Sequence, residues 1–548
     1  MSFVVKIRGV ASISEMQKEI PRLPGVLVFV LMLLLSRSTT LAASDPLQNT
    51  DSSNLAMDPS IEKNWDLSKC THLLRRTGFG TTSVEISDCL HKGLVASVDE
   101  LTTFKDTTEL ENALAAQNYV LNGDRPSFND LQRWWLYRMT YSPNQFEEKL
   151  ALFWHNHFAT AYSKVRDVPA LLNQNKLFRR NALGNFRTML SEVSKDPAMI
   201  HWLDNNTNRV GRPNENYARE VMELFTMGIG NYTETDVREA ARAFTGWQTN
   251  NGQFFFNQRD HDSKDKTFLG NTGNFNGEDV INIILQQDAT AKFITRKFLT
   301  FFVYENPEPE LVDSLADIFR KSDYDIKTLV KALLTSNAFY SKRAFLAQVK
   351  MPVEFVVGTL RVLGATTNHK DVLGPLTRMG MSIFNPPDVS GWDFNAAWVN
   401  TSAMIERYNF VNRLVSNRNP TLSSYFDFNA LLAQVPSLES LSFLDHFLEL
   451  LTPLGATPET RNLVLKYLAP ETTNHRAETE PTLNVSVSAA TTTADKLKSM
   501  SSERNNQIQA PQPPLPAPKA VPLSPVTLDS KGRGALYLIM TSPAYQLN

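Results

Sequence analysis

The chain has 548 residues, 42% of them hydrophobic and 20% charged, with 55 basic against 57 acidic side chains and a net charge of −2. That is the make-up of an ordinary globular protein, long enough for two to four domains or one large helical body. No basic block stands in it, so the sequence gives no nucleic-acid partner.

Near the N-terminus, Lys18 and Arg22 precede an apolar run from Leu23 to Leu35, and Thr40-Leu41-Ala42 offers a small-residue cleavage site. This layout predicts a secretory signal peptide over 1–42, and the run is short for a membrane span. Residues before Met16 add nothing to the layout, which points to Met16 as the translation start. Cleavage after Ala42 removes five Lys/Arg and two Glu, leaving 50 basic and 55 acidic residues and a net charge of −5. The expected location is periplasmic or extracellular, with no stable membrane span after cleavage. Cys70 and Cys89 are the only two cysteines and both lie in the exported part. An isolated pair in an oxidising compartment predicts one disulfide, with about 3 kcal/mol from closing the loop. Two free buried thiols are the alternative reading.

Residues 43–60 read as a flexible leader and 61–470 as a mainly α, multi-helical body with a small β-hairpin and long Asn/Gly/Pro-rich loops. LSKCTHLLRRTGFG predicts a helix ending in a glycine turn, and VEISDCLHKGLVASVDEL two more short helices. Leu131–Tyr141 is an aromatic-rich helix. The next runs from Phe146 to Phe158, with Phe146, Leu150, Phe153, Trp154 and His157 on one apolar stripe. His155 lies about 200° from His157 on that helix, so the two cannot share an ion. His157 then reads either as a core histidine with a buried acceptor or as a ligand. If His155 faces solvent, its removal is nearly neutral.

Asp196-Pro197 caps a helix that stops at the Asn-rich loop Asp204–Asn208. From Pro213 to Trp247 the pattern is helix, glycine turn, helix, with Asn214 as the first N-cap and Thr233/Asp236 as a capping box. Tyr217, Val221, Leu224 and Phe225 make the first helix's apolar stripe. Glu215, Arg219 and Glu223 follow at i,i+4, with Glu220 to one side. The set reads as a solvated ladder or as a carboxylate cluster for metal or proton transfer. Asn251-Gly252 predicts a hairpin turn that delivers Asp260, His261 and Asp262 to a loop exit. The loop is thereby expected beside the first helix, with His261 or Asp262 sharing a polar cluster with Glu215, Glu220 or Glu223. Asn271–Gly277 reads as a loop. Helices follow to about Leu468, interrupted by the loop NPPDVSGWDFNAAWVN with Trp392 and Trp398. Residues 471–530 read as a Thr/Ser/Pro-rich disordered insertion, and 531–548 as a C-terminal helix docking on the body.

Taken in order, HLLRRTGFG, FWHNHFAT, DPAMIHWLDNN, NENYAREVMELFTMGIGNYTETDVREAARAFTGW, DHDSKDKTFLG and PPDVSGW resemble the bacterial exported family catalogued as domain of unknown function 1800. The likeness is strong over roughly 65–415 and weak at TSPAYQ. It implies a mostly helical exported protein, often encoded beside a second exported protein, and it supplies no reaction.

Two functions are compatible with the residues. One is an envelope or extracellular hydrolase of a glycan-like substrate, assisted by acid–base pairs or by a divalent metal. Its candidate catalytic groups are His157, Asp204, Glu215, Glu220, Glu223, His261 and Asp262. The other is a non-catalytic polysaccharide- or protein-binding assembly factor working with a co-exported partner. Candidate binding residues are Asn205, Asn214, Asn216, Arg219, Trp247 and Trp392.

Overall fold

Local signals in the chain account for most helix boundaries. A computed structural model describes residues 59–117, 121, 126–421, 424–452, 455–469, 522–523 and 528–548. The signal peptide, nearly all of the leader and most of 471–530 lie outside these residues. Asp66 accepts from Lys69 N to start α1 (Leu67–Thr77). A Thr82/Glu85 capping box starts α2 (Ser83–Leu101), which breaks at Gly93, φ 79°, into the two expected pieces. Cys70 and Cys89 are joined as a disulfide, Cα–Cα 6.1 Å, fixing α1 to α2.

Then come α3 (Phe128–Tyr141), α4 (Gln145–His157), α5 (Val168–Arg180) and α6 (Pro197–Trp202), the last capped by Asp196. Helix α7 (Asn216–Glu223) and helix α8 (Glu234–Ala243), with its Thr233/Asp236 box, follow. The hairpin β1 (Trp247–Asn250) and β2 (Gln253–Phe256) pairs antiparallel across Asn251-Gly252. Beyond it lie β3 (Lys266–Phe268), β4 (Asn271–Gly273), α9 (Asp288–Phe302), α10 (Pro352–Val362), α11 (Thr401–Ser416) and α12 (Arg533–Met540). Among the described residues every sheet is a two-stranded antiparallel pair, so the fold is mainly α. The described residues form one compact unit. No described helix is long and apolar enough to cross a membrane.

Helix α4 is the axis of the core. Every residue from Glu148 to His157 is buried, and Phe298, Phe301 and Phe302 of α9 pack on Phe153. Burial on all sides means that its polar groups need internal partners. Glu148 accepts from Trp135 Nε1, Arg138 and Arg179 at 2.9–3.0 Å. The guanidinium groups outweigh burial and hold this carboxylate below its usual range. Lys149 pairs with Glu354 of α10. The C-terminal segment closes the opposite side: Arg75 donates to Leu547 O and Lys350 to Tyr545 O.

Three expectations change. His155 does not face solvent; it is 1% exposed, because α4 has no solvent face to offer. Asn214 is not the N-cap of α7. Glu215 holds that position without a side-chain bond, and Asn214 Oδ1 accepts from Asn216 N at 3.0 Å, one step earlier. Asn271–Gly277 is not all loop, since Asn271–Gly273 pairs with β3 across Leu269-Gly270, both at positive φ. Three-residue strands are too short to show alternation in a sequence. Within 471–530, Leu523 N donates to Leu438 O at 3.0 Å and its side chain is buried.

Candidate functional site

Most polar residues singled out in the sequence are consumed in holding α7, α8 and the hairpins together. Asn205 Nδ2 donates to Trp247 O at 2.8 Å. Asn208, fully buried, donates to Asn205 Oδ1 and Ala241 O and accepts from Asn214 N. Asn206 Oδ1 accepts from Thr249 N and Oγ. Asp204 pairs with Lys164 at 2.8 Å and lies within 3.5 Å of Asn216 Nδ2. Arg219 forks onto Glu234 of α8 at 2.7 and 2.8 Å, with Glu215 at 3.6 Å. Glu223 accepts from Tyr232 OH. Trp247 is buried against Phe244 and Phe254.

His261 Nδ1 donates to Thr245 O at 2.9 Å and the ring meets Phe256 edge-on. Asp262 accepts from Arg242 of α8 at 2.8 Å and from Lys264 N, and burial does not overcome these bonds: its carboxyl stays below the usual range. Neither residue bonds to Glu215, Glu220 or Glu223, so the expected shared cluster does not form. Arg242 and Glu239 of α8 capture the DHD loop first, with Glu239 bonded to Arg242 and to Thr267 N.

The last turn of α4 is different. Asn156 Nδ2 donates to Trp392 O, and its Oδ1 accepts from Trp392 N at 2.6 Å. The SGW turn is thereby clamped onto α4. Gly391 has φ 87°, and a Cβ there would stand 2.4 Å from Asn156 O and Oδ1, so only glycine fits. Next to this clamp a cavity of about 240 Å³ opens, lined by Phe153, Asn156, His157, Phe293, Arg296, Lys297, Thr300, Ser390 and Phe394. His157 Nε2 lies 3.0 Å from Phe225 O, just beyond α7. A carbonyl only accepts, so the proton sits on Nε2 and Nδ1 carries a lone pair. That Nδ1 is buried and has no partner.

Burial first, and then the Lys297 charge, push His157 down to about 3, against the pull of the Phe225 carbonyl bond. The ring is therefore neutral at ordinary pH. Lys297 is pushed below its usual range by burial and lies over the Phe293 ring at 5.3 Å. Neither Lys297 nor exposed Arg296 has an ion-pair partner among the described residues. The Glu220 carboxylate also makes no hydrogen bond among the described residues. Burial raises its carboxyl, and Glu223 and Asp388 push the same way, while Arg219 opposes. Asp388 itself caps the SGW turn by accepting from Ser390 N and Oγ.

Of the residues singled out in the sequence, His157 lines this cavity, Trp392 is held to α4 by Asn156, and Glu220 stands in electrostatic reach of Asp388. Arg296, Lys297, Ser390 and Asp388 were missed. Arg296 and Lys297 sit in an unremarked amphipathic helix, where adjacent cations read as solvated surface. Among the described residues no group of three or more His, Cys, Asp or Glu is placed to hold a metal ion. The arrangement offers an aromatic-walled cavity, two cations and one hydrogen-bond acceptor.

Searches of curated proteins and of solved structures found no match. A family profile described as a protein of unknown function, DUF1800, matches residues 72–547, which takes in α4, α7, α9 and the SGW turn. The chain therefore belongs to the DUF1800 family.

Proposed function

We propose that this chain is an exported glycan-binding protein that works at the cell envelope beside a co-exported partner, and that its ligand sits in the His157 cavity. The N-terminal layout and the Cys70–Cys89 pair support export. The observation that carries the binding role is an aromatic-walled cavity in which Lys297, Arg296 and the buried His157 Nδ1 have no protein partner for their charge or lone pair, while the polar belt from Asp204 to Thr267 is saturated. Binding sites are mostly apolar walls with a few placed polar groups, and a ring-sized cavity fits one sugar residue more closely than a drug-sized ligand of roughly 300–1,000 Å³.

A hydrolase is the second reading, favoured by Glu220, a half-buried carboxyl held above its usual range. Raised carboxyls recur among general acids. His157, driven to about 3, is no proton donor at neutral pH.

Incubating the full chain with envelope and extracellular polysaccharide separates the two. Retention on the polymer with no new reducing ends is the expected result. Reducing ends released by the native chain and lost in Glu220→Gln would establish the hydrolase instead.

A further inference from the structure

The chemistry of the cavity narrows the ligand further, on the premise that it is the glycan site proposed above. Lys297 is half-buried, its Nζ lies over the Phe293 ring at 5.3 Å, and it makes no ion pair among the described residues. A half-buried cation with no counter-ion is stabilised by an anion that enters beside it. Arg296, one residue earlier on α9, adds a second cation to the same lining. A guanidinium and an ammonium on adjacent residues suit a carboxylate, which accepts from both.

The neutral side of the cavity asks for something else. The Asn156 carboxamide is committed to Trp392 at both ends, so it offers no donor or acceptor to a guest. His157 Nδ1 is buried, partnerless and able only to accept. A hydroxyl donor therefore meets it without leaving a buried polar atom unsatisfied. Phe153, Phe293 and Phe394 supply aromatic surface to the same lining. Phe153 and His157 are nearly parallel, 5° between planes with centroids 6.2 Å apart.

We infer that the pocket between α4, α9 and the SGW turn takes a carboxylate-bearing sugar ring, a uronate residue of an acidic polysaccharide. The carboxylate lies against Lys297 and Arg296, a ring hydroxyl donates to His157 Nδ1, and the apolar ring face rests on the phenylalanines. The two cations are adjacent residues of α9 and form no basic block along the chain.

The test is calorimetric titration of the full chain with galacturonate, galactose and inorganic phosphate. Galacturonate is expected to bind at least tenfold more tightly than galactose or phosphate. Lys297→Met and Arg296→Gln are each expected to weaken galacturonate at least tenfold, and rising salt to weaken it too. Galactose bound as tightly as galacturonate, with Lys297→Met unaffected, overturns the uronate assignment and leaves the glycan-binding reading standing. Tight phosphate with silent galacturonate overturns the assignment in favour of a general anion site. No binding of any probe, together with no retention on polysaccharide, removes both readings. Circular dichroism checks that Lys297→Met folds; if it does not, Arg296→Gln, at an exposed position, decides.

Discussion

The polar belt from Asp204 to Thr267 and the cavity beside His157 contain the same kinds of groups, but their hydrogen-bonding states are opposite. In the belt Asn205, Asn206, Asn208, Asn214, Asp262 and Glu239 each find protein partners. In the cavity His157 Nδ1, Lys297 and Arg296 find none for their charge or lone pair. A wealth of polar residues marks where a fold ties its own backbone together. The deficit of partners marks where something else is meant to enter.

The belt should break hardest. Asn208→Ala removes an amide whose partners are Asn205 Oδ1, Ala241 O and Asn214 N. Stranding buried groups costs roughly 1–3 kcal/mol each. With partial relaxation the expected loss is about 3 kcal/mol in urea unfolding. A loss below about 0.5 kcal/mol, the range of ordinary surface substitutions, would show that the belt is not the scaffold described here.

How much of this was readable from the chain follows the same divide. Helix starts at Asp196 and Thr233 were legible because capping is local: the donor lies two or three residues from the acceptor. The His155 error was not local. Periodicity gives relative phase around α4, yet says nothing of what packs on its far side. There Trp135, Phe178, Phe384 and Trp392 surround the ring. The DHD loop failed for a similar reason, because its capture by Arg242 and Glu239 of α8 is a tertiary contact that spacing along the chain does not show. Lys297 was illegible altogether, since its significance lies in a missing partner.

His155 sharpens the comparison from inside α4, because its cage excludes water and offers Nε2 no partner, whereas His157 borders a cavity. Burial lowers His155 from 6.5 to about 3. The unfolded chain therefore takes the proton first, and stability falls as pH drops from 6.5 toward 3. The loss is up to about 1.4 kcal/mol per pH unit for this one group. His155→Phe keeps the aromatic packing and removes the titration. Unfolding free energies at pH 7 and 5.5 should differ less in the variant, by roughly that amount. Asp196, raised to about 7 by burial, acts in the opposite sense, but it is common to both proteins and cancels in the difference. Parallel pH dependences in the two proteins would mean that His155 is reached by water.

The smallest effect is also the one with the unexpected sign. Lys297 is half-buried, with its Nζ over the Phe293 ring and no counter-ion among the described residues. Replacing it by methionine preserves the unbranched stem and deletes the cation. In a scaffold position such as Asp262 or Glu148, losing the charge strands a partner and destabilises. At Lys297 no partner is stranded, so Lys297→Met should leave stability unchanged or raise it by up to about 1 kcal/mol, as substitutions at strained functional positions do. Thermal unfolding of the ligand-free chain measures this directly. A drop in stability of 1 kcal/mol or more would mean that Lys297 holds a structural contact, and the division between a saturated belt and an unsaturated pocket would fail at the residue that defines it.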